Sequence, residues 1–326
     1  MRLFANANYD FLRQRRWAYG ASLAFSAIGL AVLLFRGVNY SVEFTGGTLI
    51  QIETQAAADV GALRNALQAQ GIEGAEIQTF GSEREIVIRA RVARAGSDAN
   101  DTQATADAVG QALDATLGAG NYTLLRTEAV GPKVGGELRQ QAVLAVLMSF
   151  VAVLAYLAYR FEWRFGVAAV VATAHDIVAA LAFIGLARLE VSLFVVAGLL
   201  TIVGYSLNDT IVIFDRIREN LHRRKRDGFE SILNRSINET LPRTFFTGTT
   251  ALGSLIALSV LGGDVVRPFA LLMLFGVIVG TFSSIYIASP VLLAIETRWP
   301  GPDAKGHLGL KAAPTPAGSR KPQPVS

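Results

Sequence analysis

The sequence predicts a polytopic α-helical membrane protein with six transmembrane helices and one α+β domain of the ferredoxin-like βαββαβ type between the first and second helices. Three observations indicate this fold class. Hydrophobic residues make up 52% of the 326 residues and charged residues only 17%, which is more apolar sequence than one soluble core needs. Six stretches reach the roughly 20 mostly apolar residues that a spanning helix requires. A polar insert of about a hundred residues separates the first two.

The six predicted spans are mostly apolar and carry few charges. They cover residues 17–35, 141–159, 166–187, 191–214, 245–262 and 268–296. The first span could be a cleavable signal peptide, but its apolar run is long for one and no small-residue cleavage site precedes Arg36. We therefore expect a retained anchor.

The predicted spans divide the chain into five parts. These are an N-terminal segment at 1–16, the first helix at 17–35, the outer domain at 36–140, a five-helix remainder of the bundle at 141–297 with a basic loop at 215–243, and a tail at 298–326. The tail is rich in Pro, Gly and basic residues and has no periodicity, so we expect it to be disordered.

Basic residues in the short loops predict the orientation. Four Arg residues precede the first span, two lie between the second and third, and the loop at 215–243 is strongly basic. The alternate short loops hold only Arg188 and Arg267. The positive-inside rule then puts both termini in the cytoplasm and the insert outside it. The basic loop also carries apolar residues at helical spacing, which favours contact with anionic membrane lipids and does not require nucleic acid.

The polar insert has two similar halves, each with strand patterns beside an amphipathic helix. The predicted elements are Thr48–Glu53, Val60–Gln70, Ile77–Phe80, Ile86–Arg91, Thr102–Leu117 and Tyr122–Glu128. This βαββαβ order is that of a ferredoxin-like sandwich. The flanking segments 39–47 and 130–136 are rich in Gly and are predicted to be hinges. The insert either contacts cargo actively or is a plain binding or spacer module.

The composition argues against metal and thiol chemistry. The chain has no Cys, and its three His residues, His175, His222 and His307, are widely separated. This excludes disulfides and Cys nucleophiles, and it gives no cluster of metal ligands. We expect no enzyme activity, no catalytic residues, no metal and no cofactor.

The fourth span contains a carboxylate, Asp209, in an otherwise apolar run. Thr201, Tyr205, Asn208 and Asp209 are spaced at i, i+4, i+7 and i+8, which places them on one helix face. A carboxylate at the centre of a span costs about 3 kcal/mol on insertion scales and is a functional candidate. The alternative is a shifted span that brings Asp209 near the cytoplasmic surface.

A basic partner for Asp209 lies at the start of the fifth span, where Pro242 suits a first helical turn. If Arg243 approaches Asp209, protonation of the carboxylate would weaken the pair and release one helix from another. The alternative for Arg243 is a snorkelling interfacial side chain. His175 and Asp176 lie about ten residues into the third span, an expensive position for two ionisable groups.

A small-xxx-small pattern in the sixth span predicts close helix packing. Gly276 and Gly280 form this pattern, and Thr281, Ser283 and Ser284 follow it. Small residues let helix backbones approach each other in a membrane.

Six motifs together resemble those of the SecF family. They are Glu-Phe-Thr-Gly-Gly at 43–47, Arg-Phe-Glu-Trp-Arg-Phe at 160–165, His-Asp at 175–176, Gly-Tyr-Ser-Leu-Asn-Asp-Thr-Ile-Val-Ile-Phe-Asp-Arg-Ile-Arg-Glu-Asn at 204–220, Leu-Pro-Arg-Thr at 241–244, and Ser-Ser-Ile-Tyr at 283–286. The resemblance covers about residues 9–297. It favours SecF over SecD, whose outer domain is much larger.

The resemblance implies a resistance-nodulation-division type bundle in the bacterial inner membrane with a periplasmic outer domain. It implies a heterodimer with SecD that works beside the SecYEG channel and accessory Sec subunits on unfolded secreted preproteins. It also implies that the proton motive force drives the work and that Asp209 and Arg243 carry the coupling, with protons as the coupling ion. Two alternatives stay open, namely a structural subunit that moves no protons and a half-size exporter of small molecules or lipids.

Overall fold

The computed structural model describes residues 4, 7–72, 75–80, 82–90, 102–223, 227–304 and 306–308. A short 3₁₀ turn at Leu12–Gln14 precedes the first long helix. The helices and strands, in chain order, are α1 Arg15–Arg36, α2 Val42–Thr45, β1 Gly47–Thr54, α3 Val60–Ala69, β2 Glu76–Phe80, β3 Ser82–Ala90, α4 Thr102–Leu117, β4 Tyr122–Val130, α5 Pro132–Arg160, α6 Trp163–Ala187, α7 Leu193–Arg223, α8 Phe229–Leu261, α9 Gly263–Ser283, the π-helical turn Ser284–Ala288 and α10 Ser289–Arg298.

The described residues contain six helical segments long and apolar enough to cross a membrane, which confirms the predicted number. They are Leu12–Arg36, Lys133–Arg160, Trp163–Ala187, Leu193–Arg223, Phe229–Leu261 and Val265–Arg298. The chain divides into two compact units. One holds the described residues of 1–35, 149–187 and 198–326, and the other holds those of 36–148 and 188–197.

The unit of residues 36–148 and 188–197 contains the insert predicted as the outer domain, and we call it the outer unit. It is built around a four-stranded antiparallel sheet with the strand order β2-β3-β1-β4. Along the chain its elements alternate as strand, helix, strand, strand, helix, strand from β1 to β4. Alternating Ile residues in β1 and β3 put Ile52, Ile86 and Ile88 on one face, where they pack with Leu63 of α3 and Leu113 of α4. The Asp59 carboxylate caps α3 by accepting hydrogen bonds from two backbone N–H groups.

The two predicted hinges contain ordered structure. The segment 39–47 forms α2, whose Val42 and Phe44 are buried. It ends in Gly46 and Gly47 with φ of 74° and 123°, values that favour glycine. The other segment is helical from Pro132 onward, and Gly135 lies so close to Gly46 that an added Cβ would be 2.9 Å from the Gly46 nitrogen. Glycine therefore permits close backbone packing here, and the prediction of a free hinge at 132–136 is wrong.

The predicted basic loop at 215–243 is mostly helical, because α7 continues to Arg223 and α8 begins at Phe229. Polar side chains join the two extensions. Asn220 donates to the Ser236 hydroxyl at 3.0 Å, and both Asn220 and Arg216 donate to Glu239, at 2.8 and 2.7 Å. The hydropathy pattern located the apolar parts of α7 and α8. It did not detect the polar helical turns that extend both helices beyond those parts and pair them as a hairpin.

The predicted disorder of the tail differs from the structure over its first residues. The backbone N–H of Gly301 donates to Glu296 at 2.7 Å, and Ala304 is buried. His307 contacts two carbonyl oxygens, that of Asp227 through Nδ1 at 2.8 Å and that of Leu221 through Nε2 at 3.1 Å. These contacts order the segment despite its composition. The remainder of the predicted tail, residues 309–326, lies outside the described residues.

Burial is uneven among the membrane helices. About half of the apolar windows of α6, α7 and α9 is buried, whereas almost none of the α5 and α8 windows is. Several large apolar side chains on α8, such as Phe246, Ile256 and Val260, are exposed. Since a spanning helix must have apolar or paired surroundings, lipid or another protein must cover these faces.

Candidate functional site

Asp176 is the centre of a polar cluster that joins three membrane helices. The side chain lies on α6 and is 1% exposed. It accepts hydrogen bonds from the Ser206 hydroxyl on α7, from the Ser283 hydroxyl on α9 at 2.7 Å, and from His175 Nδ1 at 2.9 Å. These three donors replace the hydrogen bonds to water that the buried carboxylate has lost.

His175 connects this cluster to a fourth helix, because its Nε2 atom contacts the Ser22 hydroxyl on α1. When Nδ1–H donates to Asp176, a neutral His175 accepts a hydrogen bond from the Ser22 hydroxyl at Nε2. A protonated His175 would donate to the Ser22 oxygen instead, since a hydroxyl both donates and accepts. His175 therefore connects Asp176 on α6 to Ser22 on α1 through its two ring nitrogens.

Asp209 is the second buried carboxylate of the bundle, at 4% exposure on α7. It accepts a hydrogen bond from the Thr281 hydroxyl on α9 at 3.3 Å. In the part of the chain that the structure describes, Asp209 forms no ion pair with Arg243. The ion pair between Arg243 and Asp209 that the sequence analysis considered is therefore not formed in this structure. Arg243 itself is exposed on α8.

The two carboxylates differ in how well their charge is compensated. Asp176 has three close donors, whereas Asp209 has one long hydroxyl contact and a more distant guanidinium. A buried charge with few partners is the more costly of the two. Asp209 is therefore the less well compensated of the two carboxylates.

The predicted polar stripe on α7 divides between two directions. Asp209 points toward α9, whereas Asn208 and Thr201 are exposed. Tyr205 is half-buried, and its hydroxyl makes no hydrogen bond with the described residues. The split arises because neighbouring helix positions differ by about 100° around the axis. Asn208 consequently lies outside the cluster around Asp176.

Gly276 and Gly280 lie where α9 approaches α7. A Cβ at Gly280 would lie 2.9 Å from the Ser206 Cβ, and one at Gly276 would collide with the Ile202 side chain. This approach places Ser283 within reach of Asp176, and Ser284 bonds Thr210 at 2.8 Å.

The hydroxyl partners of the carboxylates were missed by sequence reasoning. Ser22 and Ser206 were not singled out, and Thr281 and Ser283 were assigned to packing. A weak signal existed, since Ser206 lies three residues before Asp209 and Ser283 three after Gly280, positions that share a helix face. In the part of the chain that the structure describes, no three His, Asp or Glu side chains gather as a metal site would require.

Comparison with known proteins assigns the family. A family model described as protein export membrane protein SecD/SecF, C-terminal, matches residues 108–298, and the SecD/SecF GG motif matches residues 31–58. The second match contains the Gly46-Gly47 pair at the start of β1.

Full-length relatives agree with these matches. The protein translocase subunit SecF of Gemmatimonas aurantiaca is 53% identical over 308 residues, which cover 92% of this chain and 91% of the relative. That of Escherichia coli O157:H7 is 38% identical over 290 residues, 89% of this chain and 88% of the relative.

Among solved structures, SecDF from Thermus thermophilus, titled a translocon-associated membrane protein, matches with a TM-score of 0.78 at 38% identity. A structure of SecDF in a super-membrane-facing form matches with a TM-score of 0.66 at 36% identity. Both matches cover 91% of this chain but 40% of the SecDF chain, so this chain spans less than half of those proteins. The extent of the matches and the fold in common show that the chain belongs to the SecF family of protein translocase subunits.

Proposed function

We propose that the chain pairs with SecD and uses the proton motive force to promote translocation and release of secreted proteins on the periplasmic side of the bacterial inner membrane. Asp209 binds the proton and Arg243 responds to its charge. The observation that carries this proposal is a carboxylate at 4% exposure within an apolar span, with one hydroxyl contact. Such a group is a functional candidate by default, because its charge is costly there.

The proposed switch follows from the fact that Asp209 and Arg243 form no ion pair in the described part of the chain. A charged Asp209 attracts the guanidinium and draws α8 toward α7, whereas a neutral Asp209 exerts no such attraction. Alternate proton binding and release would then move the two helices together and apart. Protons are the coupling ion, and the proposal includes no cofactor, metal or enzymatic step.

His175 and Asp176 have a supporting role in this proposal. The three donors of Asp176 make it a fixed brace between α6, α7 and α9. His175 extends this brace to α1 through its contact with Ser22. Asn208, which is exposed on α7 beside Asp209, would offer its amide to groups on the partner subunit.

The surface of α8 supports a protein partner. Arg243, Thr247 and Thr250 are exposed on one face of this helix, and a guanidinium facing lipid within a span is costly. A partner with polar side chains would cover this face better than lipid would. SecD is the proposed partner, because the solved relatives are titled SecDF.

The remaining parts of the proposal concern place and assembly. The outer unit has the element order and strand order of a ferredoxin-like fold, and we assign it to the periplasm with both termini in the cytoplasm. The SecYEG channel, accessory Sec subunits, unfolded preproteins and membrane lipids are the proposed partners. No nucleic acid takes part.

Energetics limit what one proton can do. Shifting a two-state equilibrium from about 1:99 to about 99:1 requires roughly 5.5 kcal/mol. One charge that crosses 100 mV supplies about 2.3 kcal/mol, and each pH unit adds about 1.4 kcal/mol. A full switch therefore takes more than one proton or a pH gradient as well.

The test is proton-gradient-dependent release of a secreted protein from membrane vesicles that contain SecD and this chain at matched levels. We expect Asp209→Asn to lose the gradient-dependent part, while Glu83→Gln, a change of an exposed carboxylate on β3, keeps it. Unchanged release with Asp209→Asn would favour the second candidate, a structural subunit. The well-satisfied contacts of Asp176 are the observation that supports that alternative.

A further inference from the structure

The two edges of the outer sheet differ in how they are protected. The edge strand β2 has five residues. Its Glu76 lies 3.8 Å from Arg89 on β3, and its register shifts at Thr79. Short length, charge and irregularity are the usual means by which natural proteins block further strand pairing.

The opposite edge strand, β4, also has a register shift and an ion pair, but it is almost twice as long as β2. It is nine residues long, contains no Lys or Pro, and pairs on one side with β1. No other strand among the described residues pairs with its outer side. Helix α2 contacts β4, and since it directly precedes Gly47, the partner of Val130, that contact falls at one end of the strand.

Two apolar side chains stand out on this edge. Leu124 is 56% exposed and Leu125 is 47% exposed. The register shift between Gln51 and Ile52 leaves Leu125 as an extra residue in β4 without a partner in β1. Such a bulge changes the direction of a side chain relative to the regular alternation of the strand. The regular part of the edge resumes at Arg126 and runs to Val130.

The charges of this edge are internally neutralised. Arg126 Nε donates to Glu128 at 2.8 Å, so the two ionic groups of β4 pair with each other. The edge therefore presents unpaired backbone groups and two leucines without a net charge. Such a surface binds an extended chain through its backbone and tolerates many side-chain sequences.

We propose that β4 is a docking edge for an extended segment of the exported polypeptide, which adds to the sheet as a fifth strand beside β4. The inference rests on the proposed function, because the family moves polypeptides and an unfolded chain brings its own unpaired backbone groups. At about 3.3 Å per residue the edge spans roughly 30 Å. Leu124 and Leu125 bind apolar side chains of the passing segment, and the backbone supplies the rest.

The test places a photo-crosslinking amino acid on the edge in the complex of SecD with the full chain, during translocation of a stalled preprotein. We expect Leu125→p-benzoylphenylalanine to give a preprotein adduct at about five times the yield of Gln68→p-benzoylphenylalanine, which places the same probe at an exposed site on α3 away from the edge. Equal yields, an adduct with SecD, or an adduct between two copies of this chain would overturn the proposal.

A second measurement reports on strand addition itself. Hydrogen exchange of the β4 amides should slow when the stalled preprotein is present, and the double change Leu124→Lys with Leu125→Lys should abolish that protection, because charges on an edge oppose pairing. Exchange that stays fast in β4 while the preprotein is engaged contradicts the proposal.

Failure of this inference can be told apart from failure of the proposed function. With the probe at position 125, Asp209→Asn should still give the preprotein adduct, since edge pairing requires no proton. An adduct that forms when Asp209→Asn leaves release unchanged supports the docking edge alone. Loss of the adduct from a chain whose release depends on Asp209 removes the docking edge alone.

Discussion

Ser283 on α9 donates a 2.7 Å hydrogen bond to Asp176 on α6, across 107 residues of sequence. Both groups are buried, and Asp176 also accepts from Ser206 on α7. The bond thus connects helices that hydropathy alone would describe as separate apolar spans. Its strength and that of its neighbours can be measured.

Asp176→Asn and Asp209→Asn should affect stability differently. The Asn side chain at 176 has one acceptor oxygen for three donors, so we expect the free energy of unfolding to fall by about 1 to 3 kcal/mol. Asp209 is buried with one long contact, so removing its poorly compensated charge should leave the free energy of unfolding equal to that of the wild type or raise it by about 1 to 3 kcal/mol. Thermal unfolding of the purified chain in detergent gives both values, and equal losses would contradict the assignment of Asp176 as the brace.

Ser283→Ala removes one donor from Asp176 and leaves the others. We expect the free energy of unfolding to fall by about 1 to 2 kcal/mol, because the carboxylate keeps its charge with less compensation. Ser254→Ala is the matched control, since this exposed hydroxyl bonds the carbonyl of Thr250 within its own helix at 3.2 Å. Denaturation of the two variants side by side measures the difference, and a loss no larger than that of the control would count against the cluster.

Gly280→Ala should destabilise the contact between α9 and α7. The new Cβ would lie 2.9 Å from the Ser206 Cβ and 3.1 Å from its Cα, and overpacking of this kind costs about 1 to 3 kcal/mol. Gly253→Ala is the control, because a Cβ there has no neighbour within 4 Å. That control should be neutral or slightly stabilising. The melting temperatures compare the two, and a stable Gly280→Ala chain would show that the helices can separate freely.

His307→Ala should release the first part of the tail. Both ring nitrogens contact carbonyl oxygens, those of Asp227 and Leu221, and the loss of such bonds costs about 1 kcal/mol. Limited proteolysis should cut near residue 307 faster in the variant than in the wild type. His222→Ala is the comparison, because the ring of His222 makes its short contact within its own helix, from Nδ1 to the Arg218 carbonyl at 2.8 Å, and lies 3.7 Å from Asp303. Identical cleavage rates would show that the segment is held by other contacts.

The parts of the fold that the sequence predicted have local signals. Apolar windows gave the number of spans, and alternating Ile residues gave the strands of the outer sheet. Asp209 was found because a carboxylate in an apolar run is conspicuous. Gly276 and Gly280 were found because their spacing is itself a pattern.

The parts that were missed depend on residues distant in the chain. Ser22, Ser206 and Ser283 are ordinary helix residues until the fold brings them to His175 and Asp176. The helical hairpin at 215–243 depends on pairs such as Asn220 with Glu239, which hydropathy does not detect. The order near His307 likewise comes from carbonyl groups elsewhere in the chain.

The exposed polar face of α8 has a consequence for biosynthesis. A copy of this subunit that inserts before its partner arrives would hold Arg243, Thr247 and Thr250 against hydrocarbon. Such an orphan subunit would be a target for the proteases that remove unassembled membrane proteins. The cell would then have to synthesise the two subunits in matched amounts.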